Sequence, residues 1–217
     1  VVFNTGETPH AVLFKADQAL AMAETEMNFF ANNQISQKVE NDDDRYRWNN
    51  RLESTLANNA FLLFSQPVYQ CNDSSIILHH KILARIETED GEMIPAGRFM
   101  PWVHRLALSR RMDIVMLKQT LLAMETNTLP MALSISGESV ADQNSIEELL
   151  QPLKNAQHLT SRLTFELDEN ELPDPEHMGI LVQKLKALGC SLGIQHFGGR
   201  FHLIGNLPQW GLAWIKV

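Results

Sequence analysis

Apolar positions near the start of the chain recur at helical spacing. Leu13, Ala16, Leu20, Ala23 and Met27 share a stripe, so residues 10–33 read as an amphipathic helix opened by Thr8-Pro9. The first ten residues offer that stripe no partner. Residues 32–44, with Asn41-Asp42-Asp43-Asp44, read as a solvated linker, and a second helix is predicted over 45–58 with Leu52 and Leu56 on one side. From Phe61 the period changes. Strands are predicted over 61–69, 76–86, 131–136, 162–167, 189–197 and 212–217, after a loop at 71–75 that separates the first two. Helices are predicted over 97–125, split around Pro101 and Ala107-Leu108-Ser109, and over 146–155 and 176–188. Strands alternating with helices of this length imply βα units with parallel strands, whose carboxyl ends collect functional groups.

One strand carries an unusual face. In His79-His80-Lys81-Ile82-Leu83-Ala84-Arg85, alternation puts His79, Lys81, Leu83 and Arg85 on the same side. Charged groups facing a core must be paired. That face is therefore either solvent-exposed or the wall of a polar cavity for an anion. Other strands agree on a cleft: Ser134 and Ser136, Glu166 and Asp168, Gln195 and Lys216 fall on faces of small or polar residues. Ser191 and Gly193 share the Gln195 face and leave room beside it.

Composition narrows the partners. At 217 residues there is material for one large domain or two smaller ones, and 20% charged with 44% hydrophobic residues is globular usage. A formal net charge of −8 argues against DNA or an anionic membrane as a general partner, although a few local cations can still hold a small anion. Cys71 and Cys190 make neither a disulfide framework nor a CxxC metal spacing, which fits a reducing cytoplasm. No apolar run approaches the roughly 20 residues of a membrane span.

The motifs resemble the EAL-domain family of cyclic di-GMP phosphodiesterases and their inactive relatives. Gln66-Pro67-Val68 resembles the family's Gln-Pro-Ile/Val, and Lys81-Ile82-Leu83-Ala84-Arg85 stands where it has Glu-Ala-Leu-Leu-Arg. Ile94-Pro95 through Phe99-Met100-Pro101 matches Ile-Pro-x-x-x-Phe-Ile-Pro. Leu133-Ser134-Ile135-Ser136 corresponds to Val-Asn-Leu-Ser, and Phe165-Glu166-Leu167-Asp168-Glu169 to Leu-Glu-Ile-Thr-Glu. Gln195-His196-Phe197-Gly198 replaces Asp-Asp-Phe-Gly, and Ile215-Lys216-Val217 resembles Leu-Lys-Ile. Upstream, Ala16-Asp17-Gln18-Ala19-Leu20 resembles the closing helix of a GGDEF domain. The implied organisation is a GGDEF tail over 1–33, a linker over 34–44 and a degenerate EAL domain over 45–217. The implied fold is α/β, a (β/α)8 TIM-like barrel whose last units lie outside this sequence.

For chemistry, the resemblance implies loss rather than retention. Active members use two divalent cations on oxygen ligands to cut a phosphodiester. Those ligand positions hold Lys81, Ser134, Gln195 and His196 here, and among the mapped carboxylates Glu166 remains. Lys216 is a base or water-orienting group in active relatives. By resemblance, Gln66, Lys81, Leu83, Arg85, Ser134, Glu166, Gln195, Phe197, Gly198 and Lys216 line a cyclic di-GMP site that needs no metal or other cofactor, with Arg85 forked onto a phosphate and Lys81 supplying charge the metals would have given. The pattern is most like the LapD-type receptors. It implies a cytoplasmic, homodimeric, non-hydrolysing part of an inner-membrane protein, which controls adhesion through a protein partner or its own upstream domains without contacting membrane or DNA. Two alternatives stand beside it: an EAL-derived protein or RNA-turnover module that does not bind the nucleotide, and a residual phosphodiesterase.

Plainer readings cover other residues. His79 and His80 point to opposite faces of a strand and cannot easily share a metal. Alternation places His196 off the Gln195 face, against a zinc site with Glu166 and His202. Glu166 and Asp168 read as pocket polarity rather than an acid/base pair. Met112, Val115, Met116, Leu117 and Leu121 read as core, and Trp210 and Trp214 as packing.

Overall fold

The computed structural model describes residues 42–70, 72–199 and 201–217, so the predicted helix over 10–33 lies outside the described residues. The segment opens with α1 (Asp42–Ala57), which already includes the aspartates read as linker. It continues through β1 (Phe61–Gln70), β2 (Asp73–Glu87), β3 (Met93–Pro95), α2 (Ala96–Arg105), α3 (Ser109–Thr126) and β4 (Met131–Ile135). The remainder comprises α4 (Gln143–Leu150), β5 (Leu163–Asp168), α5 (Pro175–Leu188), β6 (Ser191–Gln195), α6 (Leu207–Trp210) and β7 (Trp214–Ile215), with short 3-10 turns between.

The strands form one sheet in the order β1-β2-β4-β5-β6-β7, with β3 added to β2. From β2 to β7 along this path the pairs are parallel, as the alternation of strands and helices predicts. The first pair departs from that expectation: β1 and β2 are antiparallel, as is β3 on β2. A parallel pair needs a crossover of a dozen or more residues, and only two residues separate β1 from β2. The loop predicted over 71–75 is correspondingly shorter, because β2 begins at Asp73.

The helix predicted over 97–125 breaks once rather than twice. Pro101 lies inside α2, and the chain turns at Leu106–Leu108, where Ala107 takes a φ of 52°. The carbonyl that an interior proline fails to engage, and against which its ring presses, belongs to Gly97 in the first turn.

Strand register sorts the side chains onto two faces. Leu133, Ile135, Phe165, Leu167, Leu192 and Ile194 are buried on the outer face, at most 4% exposed. Leu117, Leu121, Met124, Ile146, Leu149, Met178, Leu181 and Leu185 from the helices are buried in the same core. Each fully buried side chain of this size is worth about 1.5–3 kcal/mol, so this layer holds the helices on the sheet. The α5 boundaries show how helix ends aim the strands. Asp174 caps the amides of Glu176 and His177, Pro175 opens the helix, and Gly189 closes it at φ 79°, one residue short of β6.

Two carboxylates, one buried and one half-buried, fasten the strand ends. Asp113 of α3 accepts hydrogen bonds from Ser136 N (2.8 Å), Ser136 Oγ (2.6 Å) and Ser139 Oγ (2.7 Å) just beyond β4. Burial pushes the Asp113 carboxyl up to about 6, against the opposing pull of those three bonds. Glu171 accepts from Gly137 N at 2.8 Å, and a Cβ on Gly137 would stand 2.6 Å from the Glu171 carbonyl. The loop that follows Ser134 is thus held from two sides. None of the described helices is long and apolar enough to cross a membrane.

Candidate functional site

The inner face of the sheet collects the polar residues. Gln66 pairs in register with Lys81, Lys81 with Ala132, Ser134 with Glu166, Glu166 with Gly193, Asp168 with Gln195, and Gly193 with Trp214. Directly paired residues share a face, so the alternation read in the sequence brings Gln66, Lys81, Ser134, Glu166, Gln195 and Lys216 to one side.

Glu166 is at the centre and is 0% exposed. Its Oε1 accepts from Lys216 Nζ and, at 2.9 Å, from Trp214 Nε1. Its Oε2 lies 3.1 Å from Lys81 Nζ, an ion-pair contact outside hydrogen-bond alignment. Lys81 Nζ donates instead to Gln195 Oε1 at 2.6 Å, and Ser134 Oγ donates to the same oxygen at 3.4 Å. Burial pushes the Glu166 carboxyl up, but the Lys216 hydrogen bond, the two lysine charges and the Trp214 N–H outweigh it and hold it below the ordinary glutamate value. Two ammonium groups around one carboxylate leave the cluster one net positive charge.

Beneath it lies a contact between rings. His79 is buried, and its imidazole stacks on the Trp214 indole with centroids 4.1 Å apart and planes 2° from parallel. Neither of its ring nitrogens hydrogen-bonds to a described residue. Burial, reinforced by the Lys216 and Lys81 charges and opposed by Glu166, moves the imidazole below its usual range and favours the neutral ring. Lys216 Nζ also lies 5.6 Å from the Trp214 ring centroid.

The sequence matches a known family over residues 49–217, described as the EAL domain. The chain belongs to the EAL-domain family. It is 32% identical over 180 residues to the cyclic di-GMP phosphodiesterase PdeF of Escherichia coli, covering 80% of this chain and 24% of that protein. The chain thus spans about a quarter of that relative's length. Among solved structures, Vibrio cholerae LapD bound to c-di-GMP superposes with a TM-score of 0.72 at 18% identity, over 97% of this chain and 52% of that one. The FimX EAL domain of Pseudomonas aeruginosa, also bound to c-di-GMP, gives 0.68 at 21% identity over 78% of this chain and 70% of that one. At these identities the likeness is one of fold.

Within the EAL domain the other expected site residues fall in two places. Leu83 and Arg85 continue the Lys81 face along β2, with Leu83 opposite Phe64 and Arg85 opposite Leu62. Arg85 does not stand beside Lys81 as one wall. Four residues of strand separate them by ~13 Å, and the Arg85 guanidinium lies 5.7 Å from the Phe64 ring centroid while donating to the Ala84 carbonyl at 3.0 Å. Phe197 and Gly198 follow β6. There Glu169, 1% exposed, accepts from the amides of Gly198 and Gly199, the latter at 2.8 Å.

His196 corrects the alternation argument. The strand ends at Gln195, and His196 adopts a φ of 55°. Its Nδ1 then reaches 2.6 Å from Oδ2 of Asp168, an inner-face residue. The ring therefore turns toward the mouth of the inner face rather than away from it. Trp214 is the residue sequence reasoning missed. Its position two residues before Lys216 placed it on the inner face, but only the fold brings Gly193 and His79 against it.

Proposed function

We propose that this EAL domain is a cyclic di-GMP receptor that binds its ligand without metal and does not hydrolyse it. The observation that carries this reading is the Lys81 ammonium, 3.1 Å from the one carboxylate at the centre of the site. A divalent cation placed on Glu166 would meet Lys81 and Lys216 at close range, and Ser134 and Gln195 offer only neutral oxygens to outweigh that repulsion. Among the described residues there is no group of three His, Cys, Asp or Glu side chains able to hold a metal ion. The donor set does not fit a pair of hard divalent cations.

The same cluster suits an anion. Its net positive charge is presented on the inner face of the sheet, between β2 and the residues that end β6 and β7. Cyclic di-GMP, with two phosphodiesters, would set one phosphate against Lys81 and extend toward Arg85. The likeness of fold to LapD and FimX, each solved with c-di-GMP, is consistent with that ligand. In this reading the domain lies in the cytoplasm, downstream of a GGDEF remnant, and passes occupancy as a homodimer to a protein partner that governs adhesion.

Isothermal titration with cyclic di-GMP in EDTA tests the proposal. Saturable heat is expected, and no heat at high micromolar ligand would reject it. A second reading, residual phosphodiesterase activity, is favoured by the 32% identity to PdeF. Product formed with Mg²⁺ or Mn²⁺ and abolished by Glu166→Ala would establish that reading instead.

A further inference from the structure

We propose that Trp214 is the positioning residue of the anion site, holding Glu166 so that its two oxygens are shared between Lys81 and Lys216. The consequence for ligand affinity rests on the receptor reading, whereas the positioning itself does not.

The indole touches three members of the cluster. Its Nε1–H donates to Glu166 Oε1 at 2.9 Å, its face stacks on His79, and Lys216 lies 5.6 Å from the ring centroid. It occupies space that β6 leaves open. A Cβ on Gly193 would meet Trp214 Nε1 at 2.4 Å, Cδ1 at 2.8 Å and Cε2 at 2.9 Å. Such approaches are closer than any real Cβ contact, so the indole reaches Glu166 only because residue 193 has no side chain. His79 completes the seat. Both its nitrogens are buried without a described partner, a cost that a purely packing role would avoid with an apolar ring. Glu166 has two flexible lysines as its charged partners, and a carboxylate held by lysines alone can rotate between them. The fixed N–H of Trp214 defines one oxygen for Lys216 and leaves the other for Lys81. This fixes how the surplus positive charge is presented to a ligand.

Proton–nitrogen spectra of the full chain, with Trp214→Phe to assign its indole signal among four tryptophans, test the contact directly. Glu166→Gln is expected to move that signal upfield, and saturating cyclic di-GMP to shift it in step with binding. Trp214→Phe, which keeps a ring over His79 but lacks the N–H, is expected to weaken cyclic di-GMP in EDTA on the order of tenfold. Gly193→Ala should act in the same direction by displacing the indole. A folded Glu166→Gln protein whose Trp214 signal stays in place overturns the positioning role whether or not nucleotide binds. Unchanged affinity in folded Trp214→Phe overturns its consequence for binding. Absence of heat from the unmodified chain rejects the receptor reading and leaves the indole signal to decide the positioning.

Discussion

Lys81 and Glu166 meet across the sheet at 3.1 Å although β4 separates their strands. The pair sets an electrostatic balance: one buried carboxylate restrains two ammonium groups that would otherwise repel each other. Glu166→Gln removes that restraint. Stability is expected to fall by about 1–3 kcal/mol, because two half-buried ammonium groups lose their shared counter-charge, as read from urea unfolding. Anion affinity should move oppositely, because the cluster's net charge rises from one to two. Titration of cyclic di-GMP into Glu166→Gln in EDTA at low salt should show tighter binding than the unmodified chain. Weaker binding in a folded variant would mean that Glu166 contacts the ligand, or that its placing of the two lysines outweighs the added charge.

A second buried carboxylate makes stability respond to pH with a defined sign. Asp113 has a folded value of about 6 against 3.8 in the unfolded chain. Between those values the native state binds more protons, so this group's contribution to stability rises as pH falls from about 7 toward 4. At roughly 1.4 kcal/mol per unit the full span is on the order of 3 kcal/mol. His79 and Glu166 oppose it. Each has a lowered folded value, and each therefore loses stability with falling pH, His79 below its ordinary value near 6.5 and Glu166 below 4.5. Comparison with Asp113→Asn isolates the Asp113 share. The stability of the unmodified chain minus that of the variant should increase between pH 7 and pH 5 in urea unfolding, and a constant difference would contradict the assignment.

How much of this was readable beforehand differs from residue to residue. Period-two alternation placed Lys81, Ser134, Glu166, Gln195 and Lys216 on one face, because side-chain direction in a strand depends only on local geometry. The antiparallel β1–β2 pair was also readable, since the predicted loop over 71–75 is already too short for a parallel crossover, but the rule for alternating units obscured it. Three features were not readable. The φ of 55° at His196 reverses where alternation sends its ring. Asp113 sits within a stripe of methionines and leucines, and nothing local shows that it faces Ser136 across 23 positions of chain. The Trp214–His79 stack joins β7 to β2, a contact no spacing encodes.

The loop after β6 depends on Glu169. This carboxylate is 1% exposed and accepts the Gly198 and Gly199 amides, so it holds the backbone beside Phe197 in place. Glu169→Ala leaves two amides without their charged acceptor, and a loss of about 3 kcal/mol of stability is expected. Hydrogen exchange should show the added opening at residues 197–199 rather than throughout the sheet. Uniformly faster exchange would mean that Glu169 supports the core as a whole.

The separation of Lys81 from Arg85 decides how their effects on binding combine. Both belong to the inner face of β2, yet ~13 Å of strand lies between them. Lys81 is tied to Glu166 and Gln195, whereas Arg85 leans on Phe64. A ligand that touches both must therefore do so through different groups, one phosphate at Lys81 and another part of the molecule at Arg85. Lys81→Met and Arg85→Ala should each weaken cyclic di-GMP by roughly 1–3 kcal/mol, the range for a charge-assisted hydrogen bond. In the double variant the two losses should add to within about 0.5 kcal/mol, as they do for independent sites more than 7–10 Å apart. A coupling well above that would place both residues on the same phosphate and require the β2 face to bend. No effect from Arg85→Ala would confine the ligand to the Lys81 end of the strand.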